Sequence, residues 1–235
     1  VDFGKAEGFD PRDYALFPAT VATWRGFVFV CPGKPEIAFA DWIKPVVAHT
    51  RERPLEKSVF FTRRTHEIRC NWKTYVENYL EGYHVSAVHP ALDAEVDASR
   101  YRVIVEDRIA IHDVPLREER KNDAVYDGLW AWAWPPLGVN VYADGLMMER
   151  MWPVGHDRTR LDYLYFFEDV SDAAGARRAD TFAMSDAVTA EDLAICEAVQ
   201  RNLNAGIYQR GRLSPRHENG VAAFQGFVRD ALATR

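Results

Sequence analysis

His84 and His89 stand five residues apart, and Pro90 follows the second directly. Imidazole nitrogen is a favoured donor for first-row metals, so a close histidine pair is the natural place to look for an ion. At this spacing the rings do not stack on one straight helix, as an i, i+4 pair does. The helix has to end or kink between them before both can converge. Glu77, Asn78 and Glu81 precede the pair. On a continuous helix Glu77, Glu81 and His84 fall within about 60° of one another, which sets a carboxylate one turn behind a ligand. A third ligand, a carboxylate, has to come from elsewhere, and the choice is open between Glu191 and Asp192. The stretch Thr189-Ala190-Glu191-Asp192 equally suits a helix start, with acids at the positive end of the dipole. Two imidazoles and a carboxylate on one face of a first-row metal leave its other face open. Zinc binds the same set but has no redox chemistry.

The elements that must carry these residues follow from periodicity. From Asn71 to His84, the residues Trp72, Tyr75, Val76, Tyr79, Leu80 and Tyr83 form one apolar face, which predicts a helix with Asn71 as its N-cap. Trp24 to Cys31 reads as one buried strand stopping at Pro32-Gly33, Glu36 to Thr50 as a helix interrupted by Pro45, and Lys57 to Cys70 as a strand. Tyr101–His112, Gly138–Tyr142, Leu146–Trp152 and Thr159–Phe167 read as four more, the last three joined by turns at Asp144-Gly145 and at Gly155-His156-Asp157. Trp130, Trp132 and Trp134 alternate, so they share one face of an extended segment. With Tyr142, Met147 and Met148 they suit a sheet core first and an aromatic cage for a trimethylammonium group second. From about Ser171 a long helix is predicted on Val188, Leu193, Cys196, Val199 and Leu203, then a loop at Gly206–Pro215 and a last helix at about Glu218–Ala233. The order of elements predicts one α+β domain over residues 1–235: a curved antiparallel sheet closing around a cavity, gripped by a long C-terminal helix, a helix-grip (START/Bet v 1-like) arrangement.

Composition narrows the functions. The chain has 235 residues, 48% hydrophobic and 27% charged, with 29 Lys and Arg against 35 Asp and Glu. These are values for an ordinary globular protein. A net charge of −6 with no basic block argues against nucleic acid as a partner. No apolar run is long enough to span a bilayer, so no membrane association is expected and the chain reads as cytoplasmic. Cys31, Cys70 and Cys196 are isolated and read as free thiols. The chain begins without Met and reads as a piece of something longer.

The segment Asn71-Trp72-Lys73, followed by Glu77-Asn78-Tyr79-Leu80-Glu81-Gly82-Tyr83-His84-Val85-Ser86-Ala87-Val88-His89-Pro90, resembles the iron-binding segment of Rieske-type non-haem iron oxygenases, the ring-hydroxylating α-subunits. The resemblance extends to Trp24–Val30, to Gly155–Arg160 with its following strand, and to Glu191-Asp192 through Gln200 and the final helix. It implies that mononuclear Fe(II) is held by His84, His89 and Asp192, with Glu81 and Asn78 as catalytic residues. It also implies a small organic substrate, O₂, a reductase or ferredoxin as electron donor, and a homotrimer in the full-length protein. The family's Rieske [2Fe–2S] cluster needs Cys-x-His and Cys-x-x-His, and neither occurs. The chain therefore reads as the catalytic domain, with residues 1–23 a remnant of the connection from an absent N-terminal Rieske domain. Naphthalene-dioxygenase-like members usually carry Asp where Glu81 stands. Glutamate there resembles the choline, carnitine and betaine monooxygenase branch, in which it relays between a neighbouring subunit's Rieske centre and the iron. Two other functions compete: a helix-grip module that binds an apolar ligand without chemistry, and a zinc hydrolase using His84, His89 and Asp192 with Glu81 as base.

Overall fold

The computed structural model describes residues 6–208 and 210–233. The first five residues of the 1–23 segment, and Gln209 in the Gly206–Pro215 loop, lie outside the described residues. The chain divides into two units, Val1–Lys44 and Pro45–Arg235.

In the first unit β1 (Ala19–Trp24) and β2 (Phe27–Pro32) pair antiparallel. The single strand expected from Trp24 to Cys31 is thus a hairpin. Its two central residues, Arg25 and Gly26, have φ of 47° and 85°, the left-handed pair that matches a two-residue turn to the twist of its strands. The ring of Phe29 packs against Phe39 and Trp42, with centroids 4.8 and 5.9 Å apart. A helix, α1 (Phe39–Thr50), holds Pro45 inside it.

The second unit is built on β3 (Val59–Ile68), β4 (Arg102–Glu106), β5 (Ile109–Asp113), β6 (Tyr126–Ala133), β7 (Leu137–Tyr142), β8 (Gly145–Gly155) and β9 (Arg158–Phe167). They form one antiparallel sheet in the order β3-β9-β8-β7-β6-β5-β4. Its two edges, β3 and β4, do not pair, so the sheet is open and not closed on itself. The strand expected over Tyr101–His112 is two strands, turning at Asp107-Arg108, where Asp107 takes φ 53°. The tryptophan segment is a full inner strand, β6. Across the register, His112 faces Trp130, Trp130 faces Asn140, Asn140 faces Met147 and Met147 faces Tyr165. One row of side chains therefore crosses one face of the sheet.

On that face lie α2 (Trp72–Leu80), α5 (Gly175–Asn204) and α6 (Asn219–Ala233), with the one-turn helices α3 (Val85–Val88) and α4 (Pro90–Asp93) between α2 and β4. Asn71 caps α2 as predicted: its Oδ1 accepts from Lys73 N at 3.0 Å. Its own N–H donates to Gln200 of α5. The helix ends at Leu80, short of the expected His84, because Glu81 is already extended, with φ −103° and ψ 153°. At 30 residues α5 is about 45 Å long. Its buried stripe is mostly polar: Arg178, Thr181, Ser185, Thr189, Cys196 and Gln200 are buried, whereas Val199 and Leu203 are exposed. Glu191 and Asp192 sit in mid-helix and cap nothing. In α6, Phe224 packs on Trp72, Trp132 and Trp134, which assigns the last two tryptophans to the core. No helix among the described residues is long and apolar enough to cross a membrane.

Candidate metal centre

The break after Leu80 builds the site. Gly82 follows Glu81 with the Tyr101 ring against it: a Cβ there would lie 1.0 Å from Tyr101 Cε1. His84 then opens α3, and its carbonyl accepts from Ala87 N and Val88 N at 2.8 Å. His89 closes α3 and leads into α4, whose first residue is Pro90. Proline restricts the residue before it to non-helical backbone and cannot extend the previous helix, yet it suits a helical first turn. His89 accordingly has φ −113° and ψ 75°. The two histidines thus flank a single helical turn, and their rings point to one place.

Three donor atoms meet there. The Nε2 atoms of His84 and His89 are 3.1 Å apart. Asp192 Oδ1 lies 3.2 Å from Nε2 of His89 and 3.7 Å from that of His84. Each far nitrogen is taken: His84 Nδ1–H donates to Glu81 Oε1 at 2.5 Å, and His89 Nδ1–H to Glu191 Oε2 at 2.7 Å. Glu81 Oε2 also accepts the backbone N–H of His84 at 3.2 Å. Asn78 Nδ2 donates to Asp192 Oδ1 at 2.7 Å. The structure therefore brings together all five residues singled out as site residues and gives both Glu191 and Asp192 a place. Glu81 reaches His84 across a turn, not along a continuous helix.

This donor set fits a cation. With both Nδ1 atoms protonated and bound to carboxylates, both Nε2 atoms carry lone pairs. They face each other and a carboxylate oxygen, so three acceptors converge. Ligands about 2.1 Å from one ion and at right angles lie about 3.0 Å apart, near the spacing of both close pairs. His89, 1% exposed, shows the pull on positive charge: burial opposes its cation, but Asp192 and Glu191 outweigh it and raise its pKa.

The cluster opens on a cavity of about 70 Å³, room for several water molecules at ~10–15 Å³ each. Tyr75, Tyr79, Tyr101, Tyr126, Tyr163 and Trp130 are among its walls. Burial holds the phenols of Tyr75, Tyr79, Tyr101 and Tyr163 well above their ordinary range, so they are neutral. His112, fully buried, accepts from or donates to Tyr101 Oη at 2.5 Å. Burial, with His84 nearby, pushes its pKa down to about 3, which keeps it an uncharged bracket for that ring. Sequence reasoning missed Glu149, a cavity residue, and His112, which braces the Tyr101 wall from behind; strand patterning assigns neither to a site.

Residues 55–234 match the family of the ring hydroxylating alpha subunit (catalytic domain). The chain belongs to this family. Among the relatives, the chloroplastic choline monooxygenase of Beta vulgaris is 26% identical over 97% of this chain and 53% of its own length. The carnitine monooxygenase oxygenase subunit of Escherichia coli is 26% identical over 94% of this chain and 63% of its own. The chain thus spans about half to two-thirds of the length of these relatives. In fold it is similar to a solved quaternary ammonium Rieske monooxygenase, with a TM-score of 0.79 at 24% identity over 96% of this chain and 65% of the other. A dicamba monooxygenase shares the fold with a TM-score of 0.59.

Proposed function

We propose that this chain is the catalytic domain of a Rieske-type oxygenase that hydroxylates or N-demethylates a small organic substrate at mononuclear Fe(II) held by His84, His89 and Asp192. The observation that carries this reading is the meeting of three lone-pair donors, two Nε2 and one Oδ1, with both outer imidazole nitrogens already committed to carboxylates. Bound there, Fe(II) supplies the one-electron chemistry that O₂ needs and zinc lacks.

The chain's own residues do the rest. Glu81 and Glu191 accept the Nδ1–H groups and so hold each ring in the tautomer that presents Nε2. Asn78 turns the Oδ1 of Asp192 toward the histidines. The phenol and indole walls keep bulk water from the reacting face. Electrons come from a Rieske [2Fe–2S] centre, for which this sequence has no ligand motif, fed by a reductase or ferredoxin. Glu81, bound to His84, is the residue that relays them from a neighbouring subunit, within a homotrimer of the full-length protein. Residues 1–23 are the connection to the cluster domain. Family membership admits an aromatic substrate; the choline and carnitine monooxygenases among the relatives favour a quaternary ammonium compound. A reducing compartment such as the cytoplasm suits Cys31, Cys70 and Cys196, all free thiols.

The test is isotopic. The full-length protein with its reductase, supplied with ¹⁸O₂ and choline or carnitine, should yield product, or the formaldehyde lost in demethylation, carrying ¹⁸O. Turnover that proceeds without O₂ and takes its oxygen from water would show a hydrolase instead.

A further inference from the structure

On the sheet wall of the same cavity is a carboxylate that the metal cluster does not use. Glu149 of β8 is 2% exposed and lines the cavity. Its Oε1 has no hydrogen-bond partner among the described residues. Space has been left for it: its register partner on β7 is Gly138. A Cβ there would come within 3.2 Å of Glu149 Cβ and 3.3 Å of Tyr79 Oη. Burial pushes its carboxyl up to about 8, Asp192 adds to the rise, and Tyr75, Asn140 and Tyr163 counter it in part. The empty site therefore favours the neutral acid, and a ligand that brings positive charge against the bare oxygen favours the carboxylate.

The rest of the lining says which. It includes the rings of Tyr75, Tyr79, Tyr126, Tyr163 and Trp130 but no Lys or Arg. Of its carboxylates, Glu81 is bound to one histidine and Asp192 faces both. A dication in the cluster is already matched by the acids around it, Glu81, Glu191 and Asp192, and leaves Glu149 without a positive partner. Aromatic faces around an unpaired carboxylate are what an alkylated ammonium needs: the rings meet its methyl groups and the carboxylate its charge.

We infer that Glu149 is a specificity-determining residue, the counter-ion that makes this cavity select an organic cation over an uncharged molecule of the same shape. The inference rests on the oxygenase reading and adds to it the residue that does the selecting. The probes are choline and 3,3-dimethylbutan-1-ol, in which carbon replaces the charged nitrogen, titrated calorimetrically into the iron-loaded protein without O₂. Wild type should bind choline about tenfold or more tighter than the alcohol. Glu149→Gln should lose that preference through weaker choline binding, with affinity for the alcohol unchanged. Glu149→Asp, which keeps the charge, should retain part of the preference. A merely structural role would move both affinities together. Equal affinities in wild type, or an intact preference in Glu149→Gln, would overturn the assignment. Metal analysis of the same samples keeps the two readings apart: a wild type that takes no iron refutes the oxygenase reading, whereas full iron without cation preference refutes Glu149 alone.

Discussion

Glu191 and Asp192 are neighbours in sequence and about 100° apart around α5, and that rotation divides their work. Asp192 faces the inner Nε2 atoms, while Glu191 reaches the outer Nδ1 of His89. Losing a group that orients a ligand costs about 10–100-fold in metal affinity, and losing a ligand costs more. Anaerobic Fe(II) titration should therefore find Asp192→Asn weakened well beyond Glu191→Gln; the reverse order would exchange their roles. Glu81→Gln should keep its fold and bind iron with at most a modest loss, since the amide still accepts from His84. It should, however, lose cluster-to-iron electron transfer. Rapid mixing of the reduced, substrate-loaded full-length variant with O₂ checks this, and Rieske oxidation at the wild-type rate would rule out the relay. The histidine pair was legible because two metal-binding side chains stood beside a proline. Glu149 was not, because within Leu146–Trp152 strand patterning assigns every buried position to the core, and burial of a lone acid is visible only in three dimensions.

Among the elements, the turn Glu81-Gly82-Tyr83 connects α2 to the turn that carries the histidine pair and sits on the Tyr101 ring. Gly82→Ala cannot be accommodated there without moving that ring, which is tied to His112. Overpacking of this kind typically costs about 1–3 kcal/mol, and the cost falls on the segment that aims His84. Thermal unfolding and iron binding should both weaken, whereas Gly175→Ala at the start of α5, where nothing lies within 4 Å, should leave both near wild type. A Gly82→Ala protein with unchanged iron affinity would contradict the account of this turn. Periodicity found α2, α5, α6 and most of the sheet. It fused each of two hairpins into one strand because Arg25-Gly26 and Asp107-Arg108 lack the Asn-Gly or Asp-Gly signal of a tight turn. It ran α2 one turn too far because Tyr83 continues the apolar spacing after the backbone has left the helix. The polar stripe of α5 hid its buried face, since Ser185 and Thr189 point to phenols of Tyr165 and Tyr163, at 2.6 and 3.5 Å, and not to aliphatic side chains.

At the scale of the whole molecule, an open seven-stranded sheet supplies one wall of the cavity and the broken segment after α2, with α5, supplies the other. A metal held by His84, His89 and Asp192 would lie between the strand surface and a long helix, with its ligands drawn from two separate parts of the chain. These 235 residues contain no Cys-x-His or Cys-x-x-His motif, the ligand pattern a Rieske cluster needs. Given iron, NAD(P)H and a reductase, residues 1–235 alone should show no sustained O₂-dependent product formation. Many turnovers per iron, followed by oxygen uptake, would show that electrons reach the site by another route.

X-ray absorption at the iron edge of the anaerobically Fe(II)-loaded chain reads the ligand set itself. One iron per chain is expected, with two imidazole nitrogens and a carboxylate oxygen among its neighbours, and either His84→Ala or His89→Ala should lose one imidazole contribution together with most of the iron. Sulfur neighbours, or an unchanged spectrum at full iron content in both variants, would contradict it.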